Sequence, residues 1–171
     1  NVTGEILPLA ELVEIAHRHG ARIAVDGAQL VPHHRVHLEE LGIDYLAFSG
    51  HKLYAPYGAG VLVGRRDWLD AAPPYLAGGG AVRRVTLAET TWAPVPARHE
   101  AGTPNVIGAV ALAAACETIA ALDDGTLVRH EEELRDRLVG GLSAIEGIRL
   151  LQLWPGEVEA IGVVTFTVEG Y

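Results

Sequence analysis

Two short, mostly apolar runs, Arg22–Val25 and Tyr45–Phe48, each stop on a polar cluster: Asp26-Gly27-Ala28-Gln29 and Ser49-Gly50-His51-Lys52. Runs of this length bounded by glycine and polar residues read as strands. Around them the period changes. Leu9, Leu12, Val13, Ile15 and Ala16 recur at helical intervals across Pro8–His19, and Gly20 is a natural stop. Val31–His37 reads as a loop, Leu38–Leu41 as one helical turn closed by Gly42, and Gly60–Gly64 as a third strand. Strands alternating with helical crossovers imply an α/β fold with a mostly parallel sheet. The link from Lys52 to Gly60 is too short for a helix, which allows the third strand to run antiparallel.

Further along, residues 71–100 are rich in proline, glycine and alternating polar residues, and an irregular segment is expected. Thr103-Pro104 carries a helix-start signal, threonine as N-cap and proline in the first turn. Alanine-rich sequence carries that helix to about Leu122, and a second, amphipathic helix is predicted over Leu127–Ile145. Arg149–Leu153 and Ile161–Val168 read as strands of a second, incomplete domain. No methionine occurs, the chain opens on Asn1, and the last strand-like run has no later neighbour. These features are read as a piece of a longer polypeptide, or a processed form of one.

Acidic residues outnumber basic ones 22 to 13, for a formal net charge of −9. Neither nucleic acid nor an anionic membrane is attracted to such a surface, so neither is expected as the main partner. Cys116 is the only cysteine, which excludes an internal disulfide and a multi-cysteine metal site. No apolar run approaches the roughly 18 residues of a membrane span. A cytoplasmic location is the expectation.

Lysine usage is the sharper clue. Of the 13 basic residues only Lys52 is lysine. An arginine guanidinium stays protonated and cannot form an imine with an aldehyde, whereas a lysine amine can. Ligands of open α/β sheets bind beyond the carboxyl ends of the strands. If the first two strands are adjacent and parallel, Asp26, Gln29, Ser49, His51 and Lys52 share one rim. Pyridoxal phosphate needs such a set: a lysine for its aldehyde, a carboxylate for its pyridine nitrogen, and donors for its phosphate.

The segments Val25-Asp-Gly-Ala-Gln29, Phe48-Ser-Gly-His-Lys-Leu-Tyr54, Gly58-Ala-Gly60 and Ala101-Gly-Thr-Pro-Asn105 resemble the class V aminotransferase family, and within it the cysteine desulfurases and selenocysteine lyases. The openings Asn1-Val-Thr-Gly4 and Gly78-Gly-Gly80 are similar too. The resemblance implies fold type I of the pyridoxal phosphate enzymes, a three-layer mixed, mostly parallel sheet. Residues 1–125 would be part of its cofactor-binding large domain, and 126–171 a linking helix with the start of a small α+β domain. Carried over by position, Lys52 is the Schiff-base lysine and the base that moves the substrate proton. Asp26 pairs with the pyridine nitrogen, and Gln29 bonds the phenolic oxygen. Ser49 and His51 hold the phosphate, Thr103 reaches the phosphate of a partner subunit, and Asn1 helps bind the substrate carboxylate. The implied activity is sulfur removal from L-cysteine by a homodimer with shared active sites, with a sulfur-acceptor protein as a further partner. Transamination, C–S lysis and epimerisation would use nearly the same residues. A non-catalytic dimerisation fragment is the alternative of another class, because the family's ring-stacking residue, carboxylate-binding arginine and catalytic cysteine find no counterpart here.

The remaining polar residues have plainer readings. Ala55 stands where the family usually has glycine, so the geometry of that loop is in question. His33, His34 and His37 have a ligand-like spacing, but no carboxylate or cysteine completes a metal set in their loop. Cys116, on an alanine-rich helix, reads as a buried packing residue, His17 and His19 as solvated helix-end residues, and Glu131–Glu133 as a solvated helix face.

Overall fold

The computed structural model describes residues 2–122, 124–156 and 158–170. In chain order the elements are α1 (Leu9–Arg18), β1 (Ala24–Asp26), α2 (Leu38–Leu41), β2 (Tyr45–Ser49), β3 (Gly60–Gly64), α3 (Arg66–Ala71), β4 (Val82–Val85), β5 (Thr90–Trp92), α4 (Val106–Leu122), α5 (Thr126–Ser143), β6 (Ile148–Leu150) and β7 (Phe166–Val168). A 3-10 turn, Gly50–Leu53, follows β2.

The sheet that positions the polar clusters has the order β1-β2-β3. β1 and β2 run parallel with Val25 opposite Leu46. β3 returns antiparallel, Phe48 opposite Val61, as the short link allows. Side chains alternate along a strand, so Val25, Leu46, Phe48 and Val61 share one face. That face carries the core. Val13 of α1 packs there with Ile43 and Leu46, and Leu112 of α4 packs with Leu53 and Ala55. Burying a side chain such as Leu46 contributes about 1.5–3 kcal/mol. Asp26, Ala47, Ser49 and Leu62 lie on the opposite face, where Ala47 and Leu62 are exposed.

Polar contacts brace the starts of these strands. Asp44 is buried, its carboxylate accepting the Ile23 N–H at 3.0 Å, with His17 Nε2 at 2.8 Å. Burial alone would raise the Asp44 pKa. The bonds from His17 and Ile23 and the nearby charges of His17 and Arg65 outweigh it and hold the carboxyl below its ordinary range. His17 is therefore tied to the core and is not simply a solvated helix-end residue.

The two stretches read as late strands pair with each other: β6 and β7 run antiparallel, Arg149 opposite Thr167. Two expectations need correction. Residues 71–100 are not wholly irregular: β4 and β5 form an antiparallel hairpin whose turn is held by the Thr86 hydroxyl, an acceptor for the Ala88 and Glu89 N–H groups. In addition, α4 does not start at Thr103. Its N-cap is Asn105, whose Oδ1 accepts the Gly108 N–H at 2.9 Å. Asparagine presents its acceptor to the third amide of the helix as well as threonine does.

Candidate active site

Asp26 is the last residue of β1. Its Oδ1 accepts the Ala28 N–H at 2.9 Å, which turns the chain immediately after the strand. Glycine at 27 leaves room for the core beneath this turn, because a Cβ there would lie 2.6 Å from Cδ1 of the buried Leu46, which would have to shift. The second carboxylate oxygen of Asp26 has no hydrogen bond among the described residues, and the half-buried Gln29 amide has none either. Both side chains line a cavity of about 230 Å³, together with Thr3, Glu5, Leu153 and Ile161.

Ser49 ends β2 on the same sheet face as Asp26, half-buried, its hydroxyl without a partner among the described residues. The 3-10 turn then carries His51 and Lys52, anchored by Leu53, which is 3% exposed and packs against α4. Lys52 is half-buried, and its amine makes no hydrogen bond or ion pair among the described residues. The exposed His51 ring stacks on Tyr57 at 5.2 Å with 22° between the planes.

The turn closes at Tyr54, the one non-glycine residue with positive φ (+64°) among the described residues. Ala55 follows, buried, and its N–H donates to the Gly50 carbonyl at 3.0 Å. The left-handed position thus falls on Tyr54, and alanine at 55 carries no backbone strain.

Asp26, Ser49 and Lys52 therefore follow the same end of the β1–β2 pair, and the cavity is lined by Asp26 and Gln29 but not by Ser49, His51 or Lys52. Thr103 is exposed in the loop before α4. Asn1 lies outside the described residues. The Gly78–Gly80 loop packs against the segment before α4: the Gly102 N–H donates to the Gly79 carbonyl at 2.8 Å.

Several residues around the site escaped sequence reasoning. Asn105 caps α4 and also donates from Nδ2 to the Gly58 carbonyl at 3.0 Å, fixing the loop before β3. An asparagine directly before an apolar helical run was a readable signal. Glu5 is buried in the cavity wall, with nothing in its neighbouring sequence to announce it. His33 Nδ1 lies 2.7 Å from Glu131 Oε1, which also accepts the Gly162 N–H at 2.7 Å. Glu131 is thus half-buried and engaged, whereas Glu132 and Glu133 are solvated. Cys116 is exposed on α4, not buried.

The profile of the family described as Aminotransferase class-V matches residues 1–171. The chain belongs to the class V aminotransferase family. A probable cysteine desulfurase of Mycobacterium leprae is 45% identical over 171 residues, covering 99% of this chain and 40% of that protein. The structure of a cysteine desulfurase from Thermococcus onnurineus superposes with a TM-score of 0.91 at 38% identity, over 100% of this chain and 42% of the other. A structure of the cystine C–S lyase C-DES, with glycine covalently linked to its PLP cofactor, superposes at 0.78 and 28% identity, over 98% of this chain and 45% of the other. The chain thus spans about two fifths of the length of these class V relatives, and the mixed α/β fold is theirs.

Proposed function

We propose that this chain supplies the pyridoxal phosphate-binding floor of an enzyme that removes sulfur from L-cysteine. The observation that carries the reading is the half-buried Lys52 amine, without a partner among the described residues, on the turn after β2, beside a β1 that ends on the half-committed carboxylate of Asp26. The donor set fits the group: one amine, one carboxylate oxygen, an amide and a hydroxyl at the carboxyl ends of two adjacent strands, none with a partner among the described residues.

When bound, the cofactor contributes an aldehyde that condenses with amines and a protonated ring that draws electrons from a substrate's Cα. Lys52 would provide the amine that holds that aldehyde and would be the base for the Cα proton. The free oxygen of Asp26 keeps the ring nitrogen protonated by accepting its N–H. Gln29 donates to the phenolic oxygen, and Ser49 and His51 donate to the phosphate. Thr103, exposed ahead of α4, serves the phosphate of a second copy, which makes the enzyme a homodimer with shared sites. Asn1 contributes to the substrate carboxylate, and a sulfur-acceptor protein completes the cycle. Residues 1–125 belong to the cofactor domain in this reading, and 126–171 to the linking helix and small domain. A cytoplasmic location fits an exposed free thiol, Cys116, which a reducing compartment protects.

Cysteine is favoured as substrate by the 45% identical relative, a probable cysteine desulfurase. The C–S lyase reading draws on the same Lys52 and Asp26. Titrating pyridoxal phosphate into the protein and into Lys52→Ala tests the assignment. A visible absorption band beyond that of free cofactor, saturable in the native protein and absent in the variant, is the expected result. Equal spectra for both proteins would reject it.

A further inference from the structure

In the loop after β1 the His33 and His34 N–H groups donate to the Leu30 carbonyl at 3.0 and 2.9 Å, so one turn presents two adjacent imidazoles. Each meets a carboxylate from a distant part of the chain. His33 Nδ1 lies 2.7 Å from Glu131 Oε1 of α5, and His34 Nδ1 lies 3.7 Å from Glu159 Oε1. The side chains of the first pair are 28% and 27% exposed, whereas Glu159 is 71% exposed. Solvent screens the second pair, so the first carries most of the contact.

Glu131 also holds a third piece of chain. The Gly162 N–H donates to its Oε1 at 2.7 Å, and glycine at 162 permits that approach, since a Cβ there would lie 2.4 Å from the same oxygen. On its other flank the segment around Gly162 is held by backbone bonds: the Ile161 N–H donates to the Gly4 carbonyl at 3.0 Å and the Ile6 N–H to the Glu159 carbonyl at 2.9 Å. Those bonds carry no group that titrates near neutrality. The His33 side does. Among the other charged groups nearby, Glu11 of α1 and Arg35 line the groove that His34 and Glu159 border, and Arg135, one turn along α5 from Glu131, lies 3.8 Å from Asp136.

A neutral imidazole offers a carboxylate an ordinary hydrogen bond, and a protonated one offers a charge-assisted bond about twice as strong. Histidine ordinarily gains its proton below about pH 6.5, and glutamate below about pH 4.3. Both charges coexist between those limits, and the contact is strongest there. It weakens as pH rises and the imidazole becomes neutral, and again in acid as Glu131 loses its charge.

We propose that His33 and Glu131 form a pH-sensitive latch, with His34 and Glu159 as its weaker second half: protonation of the imidazoles tightens the loop after β1 against α5 and residues 159–162. The latch does not rest on the cofactor reading.

A double-mutant cycle of His33→Asn and Glu131→Gln, read by urea unfolding at pH 5.5 and pH 8.0, tests it. His17 and Asp44 are present in all four proteins, so their own titration cancels from the coupling. The coupling between the two substitutions, expressed as a ratio of folding equilibrium constants, is expected to be at least about threefold larger at pH 5.5 than at pH 8.0. Coupling that is equal at the two pH values, smaller at pH 5.5, or absent at both would overturn the latch. Should a variant fail to fold, hydrogen exchange of the native protein decides. Protection of the peptide spanning residues 159–165, corrected for intrinsic exchange and taken relative to a peptide spanning β2, is expected to be about threefold higher at pH 5.5 than at pH 8.0. Equal relative protection at the two pH values would overturn the proposal.

Discussion

Asp26 lies opposite Ala47 in the β1–β2 register, two residues before Ser49, so the Asp26 carboxylate and the Ser49 hydroxyl stand on one face of the sheet. That face is turned away from the helix-packed core. The polar groups therefore occupy an open rim that a ligand can enter without disturbing the packing beneath. The arrangement follows from strand alternation alone, once Val25 and Leu46 are committed to the core.

Replacing Asp26 by asparagine removes the charge that favours a protonated ring while the amide oxygen can still accept the Ala28 N–H. The expected outcome is retained fold and pyridoxal phosphate bound about tenfold more weakly, because a charge-assisted hydrogen bond is traded for a neutral one. Circular dichroism beside a cofactor titration checks it; unchanged affinity in Asp26→Asn would remove Asp26 from the cofactor site.

Asp44 gives a pH dependence with a definite sign. Its carboxyl pKa is lowered in the folded protein, so it stabilises the fold above the unfolded-state pKa, and that contribution is lost as pH falls through the lowered folded value. Asp44→Asn is expected to cost about 1–3 kcal/mol at neutral pH and to flatten the acid limb of the stability profile. Urea unfolding between pH 3 and pH 7 reads both; an acid limb identical in native and variant proteins would contradict the account.

Asn105 does two jobs that two variants separate. Asn105→Asp keeps the cap oxygen for the Gly108 N–H but loses the donor to the Gly58 carbonyl, whereas Asn105→Ala loses both. Alanine is expected to cost about 1 kcal/mol through the cap and aspartate less. Thermal unfolding in the order native, aspartate, alanine is predicted, and an aspartate variant less stable than alanine would refute the cap assignment.

Gly64 is a packing constraint. A Cβ at this position would sit 2.0 Å from Cδ1 of Tyr45, a ring only 4% exposed that packs on Trp68 with centroids 5.0 Å apart. Gly64→Ala is expected to destabilise by about 1–3 kcal/mol through overpacking, visible as a lower denaturant midpoint with an unchanged slope.

Much of the central sheet was legible because each of its strands is a short apolar run ending on glycine or a polar cluster. α2, with Gly42 in the left-handed conformation behind it, appears where the sequence predicts it. The β4–β5 hairpin was hidden because its turn relies on the Thr86 hydroxyl and carries no glycine or asparagine signal. Helix α4 is apolar nearly all round, with Val106, Ile107 and Val110 exposed and Gly108 and Leu112 buried, so its composition could not reveal which side packs. At the site, Lys52, Asp26, Gln29 and Ser49 were readable from strand ends and from lysine scarcity. Glu5 was not, because its bonding partners lie 148 and 149 residues away and local pattern carries no trace of them. The same holds for His33 and Glu131, joined only when the loop after β1 meets α5.

The central claim is that Lys52 is the residue that captures the cofactor. Borohydride reduction of the protein mixed with pyridoxal phosphate, followed by digestion and mass spectrometric mapping, tests it most directly. A reduced cofactor adduct on the peptide carrying Lys52, and its absence from Lys52→Ala, is the predicted result. An adduct level at Lys52 no higher than in the denatured chain would contradict it.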